Sequence, residues 1–151
     1  MKKMKLWFKA VAVALLSLTT APAYADLSEI LASGKVKIAV GENFAPFSSL
    51  GAEGEHVGFD VDVAKLIAKD LGVELELIPI TSKQRIPYLE TDKADLVIAS
   101  MGANPGRAKS IWFSSAYAPF FSGAFAADGL EIESISDLSG YKVGLTAGTL
   151  E

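Results

Sequence analysis

The side chains best suited to hold a small anion in this chain are two arginines and a serine. The clearest setting is the stretch Asp95-Leu96-Val97-Ile98-Ala99-Ser100-Met101-Gly102-Ala103-Asn104-Pro105-Gly106-Arg107. It opens on an unbroken apolar run, Leu96 to Ala99, too short for a helix and β-branched enough for a fully buried strand. A loop of small residues follows. Asn104-Pro105 then reads as an N-cap with proline at the first helical position, where its missing N–H costs nothing. Arg107 therefore falls in the first turn of a short helix. A cation there opposes the helix dipole, which is a poor arrangement for an arginine whose only role is solvation. Beneath an anion the arrangement makes sense: loop N–H groups, the Ser100 hydroxyl and a guanidinium fork all aim at one carboxylate. The plainer reading of Arg107 is a surface arginine on a helix facing water.

Composition removes several other chemistries. The 151 residues contain no cysteine, which excludes a disulfide framework, a thiolate metal site, a cysteine nucleophile and a lipid-anchored N-terminal cysteine. The single histidine, His56, sits in the Gly/Glu-rich run Gly51-Ala52-Glu53-Gly54-Glu55-His56, so neither a metal site nor any other cofactor is expected. Half of the residues are apolar, enough for a real core in one domain or an incomplete larger one.

Residues 1–25 have the form of an export signal: Lys2, Lys3, Lys5 and Lys9, then apolar Ala10 to Leu18, then the small-x-small site Ala23-Tyr24-Ala25. The apolar part is too short for a permanent anchor. The expected product is soluble, cut after Ala25 and periplasmic. Beyond residue 25 the chain carries 10 basic against 18 acidic residues, a net charge of −8. That argues against nucleic acid or an anionic membrane surface as partner.

The elements that must position the arginines follow from periodicity. Asp26 with Glu29 suits a capping box for a short helix, Leu27 to Ser33, stopped by Gly34. Val36 to Val40 reads as a strand. Residues 41–57 form a long loop, aromatic at Asn43-Phe44-Ala45-Pro46-Phe47 and glycine-rich at its tip, where a hairpin turn is expected. Asp60 is predicted to cap a helix whose apolar stripe runs through Phe59, Val63, Ala64, Ile67 and Leu71 to a stop at Gly72. Val73 to Ile78 alternates as a strand exposed on one face, near a sheet edge. Thr81 or Ser82 caps a second helix, roughly Lys83 to Thr91, and Asp95 begins the third strand.

Strand and helix alternating at this spacing predict an α/β fold with a parallel sheet. Ligands of such sheets lie beyond the carboxyl ends of the strands. That rule gathers residues 41–47, 81–85 and 100–107, so Phe44, Arg85, Ser100 and Arg107 converge on one crevice. Further on, Ile111-Trp112-Phe113 is expected to pack under the sheet and residues 117–127 to run extended. Ser136 to Gly140 reads as a capped turn and Tyr141 to Thr146 as a strand, with a helix due to open at Gly148-Thr149.

Four motifs together resemble one family: Asn43-Phe44-Ala45-Pro46-Phe47-Ser48, Val57-Gly58-Phe59-Asp60-Val61-Asp62, the Asp95 to Arg107 stretch, and Lys142-Val143-Gly144 with Ala147-Gly148-Thr149. They resemble the extracytoplasmic solute-binding proteins of amino-acid ABC importers, whose fold is shared by the ligand-binding core of ionotropic glutamate receptors. The resemblance implies two α/β lobes closing on the ligand. Residues 26–117 would be lobe 1, 118–127 an inter-lobe crossing segment, and 128–151 the truncated start of lobe 2. Arg107 would bind the α-carboxylate with Ser100 and the Gly102 backbone, Phe44 would stack on the aliphatic part, and Thr149 would contact the carboxylate from lobe 2.

The acid that holds the ammonium usually lies further into lobe 2, beyond this sequence. The family often carries Ser or Thr at the position of Gly102, and members taking cationic ligands tend to carry an acid at that of Gly41. Ser82-Lys83-Gln84-Arg85-Ile86-Pro87 resembles a variant of members taking acidic or polar amino acids, with Arg85 facing the pocket; a solvated helix face is the alternative for Arg85. The implied partners are an amino acid and an inner-membrane ABC permease, with a monomer at full length. This shortened chain is expected to bind weakly alone. A dehydratase of prephenate-like acids on the same fold and the sensor domain of a membrane receptor are the rival readings.

N-terminal sequencing of exported material should begin at Asp26. A start many residues away, or retention in the membrane fraction, would overturn the export signal.

Overall fold

The computed structural model describes residues 27–119 and 121–150. The export signal, Asp26 of the expected capping box, Phe120 and Glu151 lie outside them. The element order is α1 (Leu27–Ser33), β1 (Lys35–Gly41), β2 (Ser49–Leu50), β3 (His56–Val57), α2 (Phe59–Leu71), β4 (Glu74–Ile80), α3 (Arg85–Glu90) and β5 (Leu96–Ile98). Three-residue 3-10 turns at Ser82–Gln84 and Arg107–Lys109 flank the last two, and another short turn spans Ile135–Leu138.

The main sheet has the order β4-β1-β5 and is parallel throughout. β1 owes its central place to being apolar on both faces. Val36, Ile38 and Val40 point to one side, where they pack against Val61, Ala64 and Ala68 of α2 and Ile30 of α1. Ala39 points to the other, against Ile80, Ala94 and the partly buried Tyr88 of α3. Helices therefore cover both faces, as a parallel sheet requires. β4 is an edge strand, as its alternation predicted, and its edge position tolerates Pro79.

The structure departs from expectation where local signals were outweighed. α2 starts two residues earlier, with Gly58 rather than Asp60 as its cap. Gly58 has φ +125°, and a Cβ there would sit 2.5 Å from the Phe47 carbonyl oxygen. Only glycine fits so tight an approach. The Phe59 and Asp60 N–H groups donate to the carbonyls of Pro46 and Phe47, which frees the Asp60 carboxylate from capping. The buried face of α2 runs through Val61, Ala64 and Ala68, where two alanines let the helix sit close to the sheet, while Phe59 stays partly exposed.

β5 is not fully buried: Leu96 and Val97 are half-buried and Ile98 alone is covered, because β5 pairs on one side only among the described residues. Trp112, expected under the sheet, is 90% exposed, while Ile111 is buried and Phe113 half-buried. Residues 141–146 form no strand, since no partner ladder is present for them among the described residues. The hairpin of β2 and β3 does form. No described helix is long and apolar enough to cross a membrane.

Ile38 is fully buried in the central strand. Ile38→Ala should cost roughly 2–5 kcal/mol of stability, read from the shift in urea midpoint at unchanged slope.

Candidate ligand-binding site

β4 and β5 flank β1, so the connection from β4 to β5 passes over the central strand. A reversal of this kind opens a crevice beyond the carboxyl ends of the strands. A cavity of about 310 Å³ lies at the carboxyl ends of β4 and β5, lined by Ser82, Lys83, Arg85, Ile86, Met101, Arg107, Gly148 and Thr149. Among the described residues its lining carries three cations and no carboxylate.

Arg85 is built into this wall by the segment after β4. Thr81 and Gln84 form a capping box: the Thr81 N–H donates to the Gln84 side-chain oxygen at 2.8 Å. The resulting 3-10 turn leads into α3 at Arg85. The Arg85 side chain is not solvated, with the residue 4% exposed. Its Nε donates to the Ser82 carbonyl at 3.0 Å, and one terminal nitrogen donates to the Ala99 and Ser100 carbonyls at 3.0 and 3.3 Å. The other donates to the Gly148 carbonyl at 2.7 Å.

Arg107 arrives from the loop after β5. The Asn104 side-chain oxygen accepts the Arg107 N–H at 2.9 Å, but the element is a single 3-10 turn from Arg107 with Gly106 at its cap, rather than an α-helix with Pro105 at its first position. The Arg107 guanidinium donates to the Gly102 carbonyl at 2.8 Å and, from its second terminal nitrogen, to the Gly148 carbonyl at 2.8 Å. Two guanidinium groups therefore meet at one carbonyl oxygen. Two guanidinium forks converging on one oxygen form an arrangement suited to an anionic oxygen acceptor.

Gly148 reaches that position because it has no side chain. Its φ is +92°, and an added Cβ would lie 2.9 Å from backbone atoms of Ser82 and Lys83. The Thr149 hydroxyl lines the cavity but donates to the Thr146 carbonyl at 2.7 Å.

The structure thus brings together Arg85, Arg107 and Thr149 of the residues singled out from sequence. Gly102 contributes its carbonyl to Arg107. Ser100 turns elsewhere: with φ +49°, its hydroxyl donates to Asp60 at 3.2 Å. Phe44 is not part of the lining and stacks on Phe47 with ring centroids 5.5 Å apart.

Sequence reading passed over Asp60 and Tyr117. Asp60 is 1% exposed and accepts the Tyr117 hydroxyl at 3.1 Å. Burial pushes the Asp60 carboxyl above its ordinary range, while the bonds from Tyr117 and Ser100 pull it back. Burial and the facing carboxylate push the Tyr117 phenol far up, so it keeps its proton. The available signal was an acid inside the otherwise apolar run Val57-Gly58-Phe59-Asp60-Val61, read there as a helix cap.

A parallel α/β layer with an anion-directed cavity at a strand-order reversal corresponds to part of one lobe of a two-lobe periplasmic-binding-protein fold. Residues 36–132 match the model of the bacterial extracellular solute-binding proteins, family 3, and the chain belongs to that family. ABC transporter arginine-binding protein 1 of Escherichia coli strain K12 is 33% identical over 118 residues, 78% of this chain and 48% of that protein. L-cystine-binding protein TcyJ of the same strain is 32% identical over 144 residues, 92% of this chain and 54% of that protein. An arginine-bound point mutant of domain 1 of the T. maritima ArgBP superposes with a TM-score of 0.59 at 38% identity, covering 69% of this chain and 75% of that one. A cyclohexadienyl dehydratase of Pseudomonas aeruginosa is 32% identical over 91 residues, 60% of this chain and 34% of that enzyme. The chain spans about half the length of the two binding proteins it matches.

Gly148→Ala should drive the 146–149 turn off the arginines. NMR of the Arg85 and Arg107 Nε–H groups should show faster exchange with water at both. Unchanged signals would mean that the glycine contact does not hold the turn.

Proposed function

We propose that this chain binds a small amino acid by its α-carboxylate, and that the longer protein it corresponds to delivers that amino acid to an ABC importer in the inner membrane. The observation that carries the proposal is the convergence of Arg85 and Arg107 on one oxygen acceptor inside an amino-acid-sized cavity. The ligand's carboxylate takes the place of the Gly148 carbonyl between the two forks. The lobe boundaries follow the sequence: residues 26–117 as lobe 1, 118–127 as the crossing segment, 128–151 as the start of lobe 2. The periplasm, reached by cleavage after Ala25, and a monomeric state at full length belong to the same reading.

From sequence, this shortened chain is expected to bind weakly alone. The arginine-bound form of domain 1 of the T. maritima protein weighs toward some binding by a part of the fold.

The side-chain preference follows from charge. Lys83, Arg85 and Arg107 line the cavity and no carboxylate does among the described residues, which favours an acidic or neutral polar ligand over a cationic one. The names of the arginine-binding relatives weigh the other way. A dehydratase needs a general acid in its cleft, and the described residues of the lining supply no carboxylic acid; most of the relatives named above are binding proteins.

Arg107→Ala should weaken binding by on the order of 30-fold or more, since a fork-on-carboxylate contact in a closed cleft is worth roughly 2–5 kcal/mol. Calorimetric titration with a panel of amino acids measures both this loss and the selectivity. A loss under about fivefold would reduce Arg107 to a surface residue, and tightest binding by arginine would overturn the acidic or polar preference. Turnover of a prephenate-like acid would move the protein to the dehydratase reading.

A further inference from the structure

Asp60 belongs to neither the cavity lining nor the hydrophobic core. It is nonetheless almost fully buried at the start of α2, with one carboxylate oxygen bonded to the Ser100 hydroxyl and the other to the Tyr117 hydroxyl. A buried carboxylate is costly unless its oxygens are satisfied, and both of these are. Ser100 is the residue whose backbone bends into the left-handed region immediately after β5 and whose carbonyl accepts Arg85. The preceding carbonyl, Ala99, accepts the same Arg85 nitrogen, and Gly102, two residues on, accepts Arg107. A non-glycine residue in that conformation persists only where its surroundings hold it. The side-chain contact that holds Ser100 is Asp60.

On the reading of the Arg85–Arg107 cavity as the amino-acid site, we infer that Asp60 is a positioning residue for ligand binding: it fixes the Ser100 bend, and through that bend the carbonyls that aim both arginines. Tyr117 closes the arrangement from the opposite side. Its ring stacks on Phe59 at 6.1 Å, and Phe59 meets Phe47 edge-on at 6.3 Å. Tyr117 directly precedes the proposed crossing segment, so the same carboxylate ties that segment to the floor of the site.

The test compares the full wild-type chain with Asp60→Asn, Ser100→Ala, Tyr117→Phe and Arg107→Ala, titrated with L-glutamate, L-glutamine and L-arginine between pH 4 and 8, with thermal midpoints recorded in parallel. Tyr117 is the titratable group bonded to Asp60, and Arg85 is the charged group one hydrogen bond further on, through Ser100. Asp60→Asn should lower affinity about tenfold at pH 7, and Ser100→Ala should lose a similar amount. In the wild type, affinity should fall on the acid side as Asp60 takes up a proton. Asp60→Asn should remove that inflection. Tyr117→Phe should move it to higher pH, because the phenol bond holds the Asp60 carboxyl down.

A merely structural aspartate would shift the thermal midpoint and leave the acid inflection of affinity where it was. If Asp60→Asn and Ser100→Ala bind within twofold of wild type while Arg107→Ala does not bind, the positioning role is overturned and the site stands. If Asp60→Asn does not fold, an unmoved inflection in Tyr117→Phe with wild-type affinity in Ser100→Ala overturns it equally. A wild-type chain that binds none of the three amino acids overturns the site itself and the inference with it.

Discussion

A buried guanidinium sets the terms for this end of the molecule. Arg85 is withdrawn from water, and a cation so placed is tolerated only if its donors are met. They are met by carbonyls of three separate segments: Ser82 before α3, Ala99 and Ser100 after β5, and Gly148 far along the chain. The planar fork suits this use, since its donors point in fixed directions and each selects one carbonyl. Segments distant in sequence are thereby held in one arrangement. The cavity is the space left between them.

Arg107 then has little freedom. Its loop is anchored at one side by the Ser100 bend and at the other by the Asn104 cap. Its guanidinium shares the Gly148 oxygen with Arg85, so two like charges are brought near each other by a common acceptor. Like charges so close repel unless negative charge or dipole lies between them. One carbonyl dipole supplies part of that compensation; a full carboxylate would supply more. On the proposed reading, the preference for an anionic group is a property of the pair and of neither arginine alone.

Much of the frame was legible from residues. The apolar run of β1, the alternation of β4 and the Gly72 stop gave the alternating strands and helices, and the carboxyl-end rule drew Arg85 and Arg107 into one crevice. Asn104 was singled out from its proline neighbour, and its side chain does take the Arg107 N–H, although Gly106 is the cap. What escaped depended on contacts distant in sequence. Asp60 looks like a helix cap to any local rule, and only the Pro46 and Phe47 carbonyls, which take the helix N–H groups, release it for Ser100 and Tyr117. Ser100 looked like a ligand donor because nothing nearby in sequence claims its hydroxyl. Residues 141–146 have the composition of a strand, but a strand exists only where a neighbour offers a ladder, and composition does not reveal the neighbour.

The two ends of the sheet use charge differently. At the amino end, Lys35 meets Glu74 and Glu76 at 3.8 and 3.4 Å, and Lys37 meets Asp95 at 3.8 Å, with much of each lysine in water. Mobile ions screen such pairs readily. At the carboxyl end, Arg85 is held by neutral carbonyl dipoles out of contact with solvent, where dissolved ions compete poorly. Ionic strength therefore addresses the two poles separately. Added salt loosens the electrostatic fastening of the strand beginnings and leaves the seat of Arg85 in place.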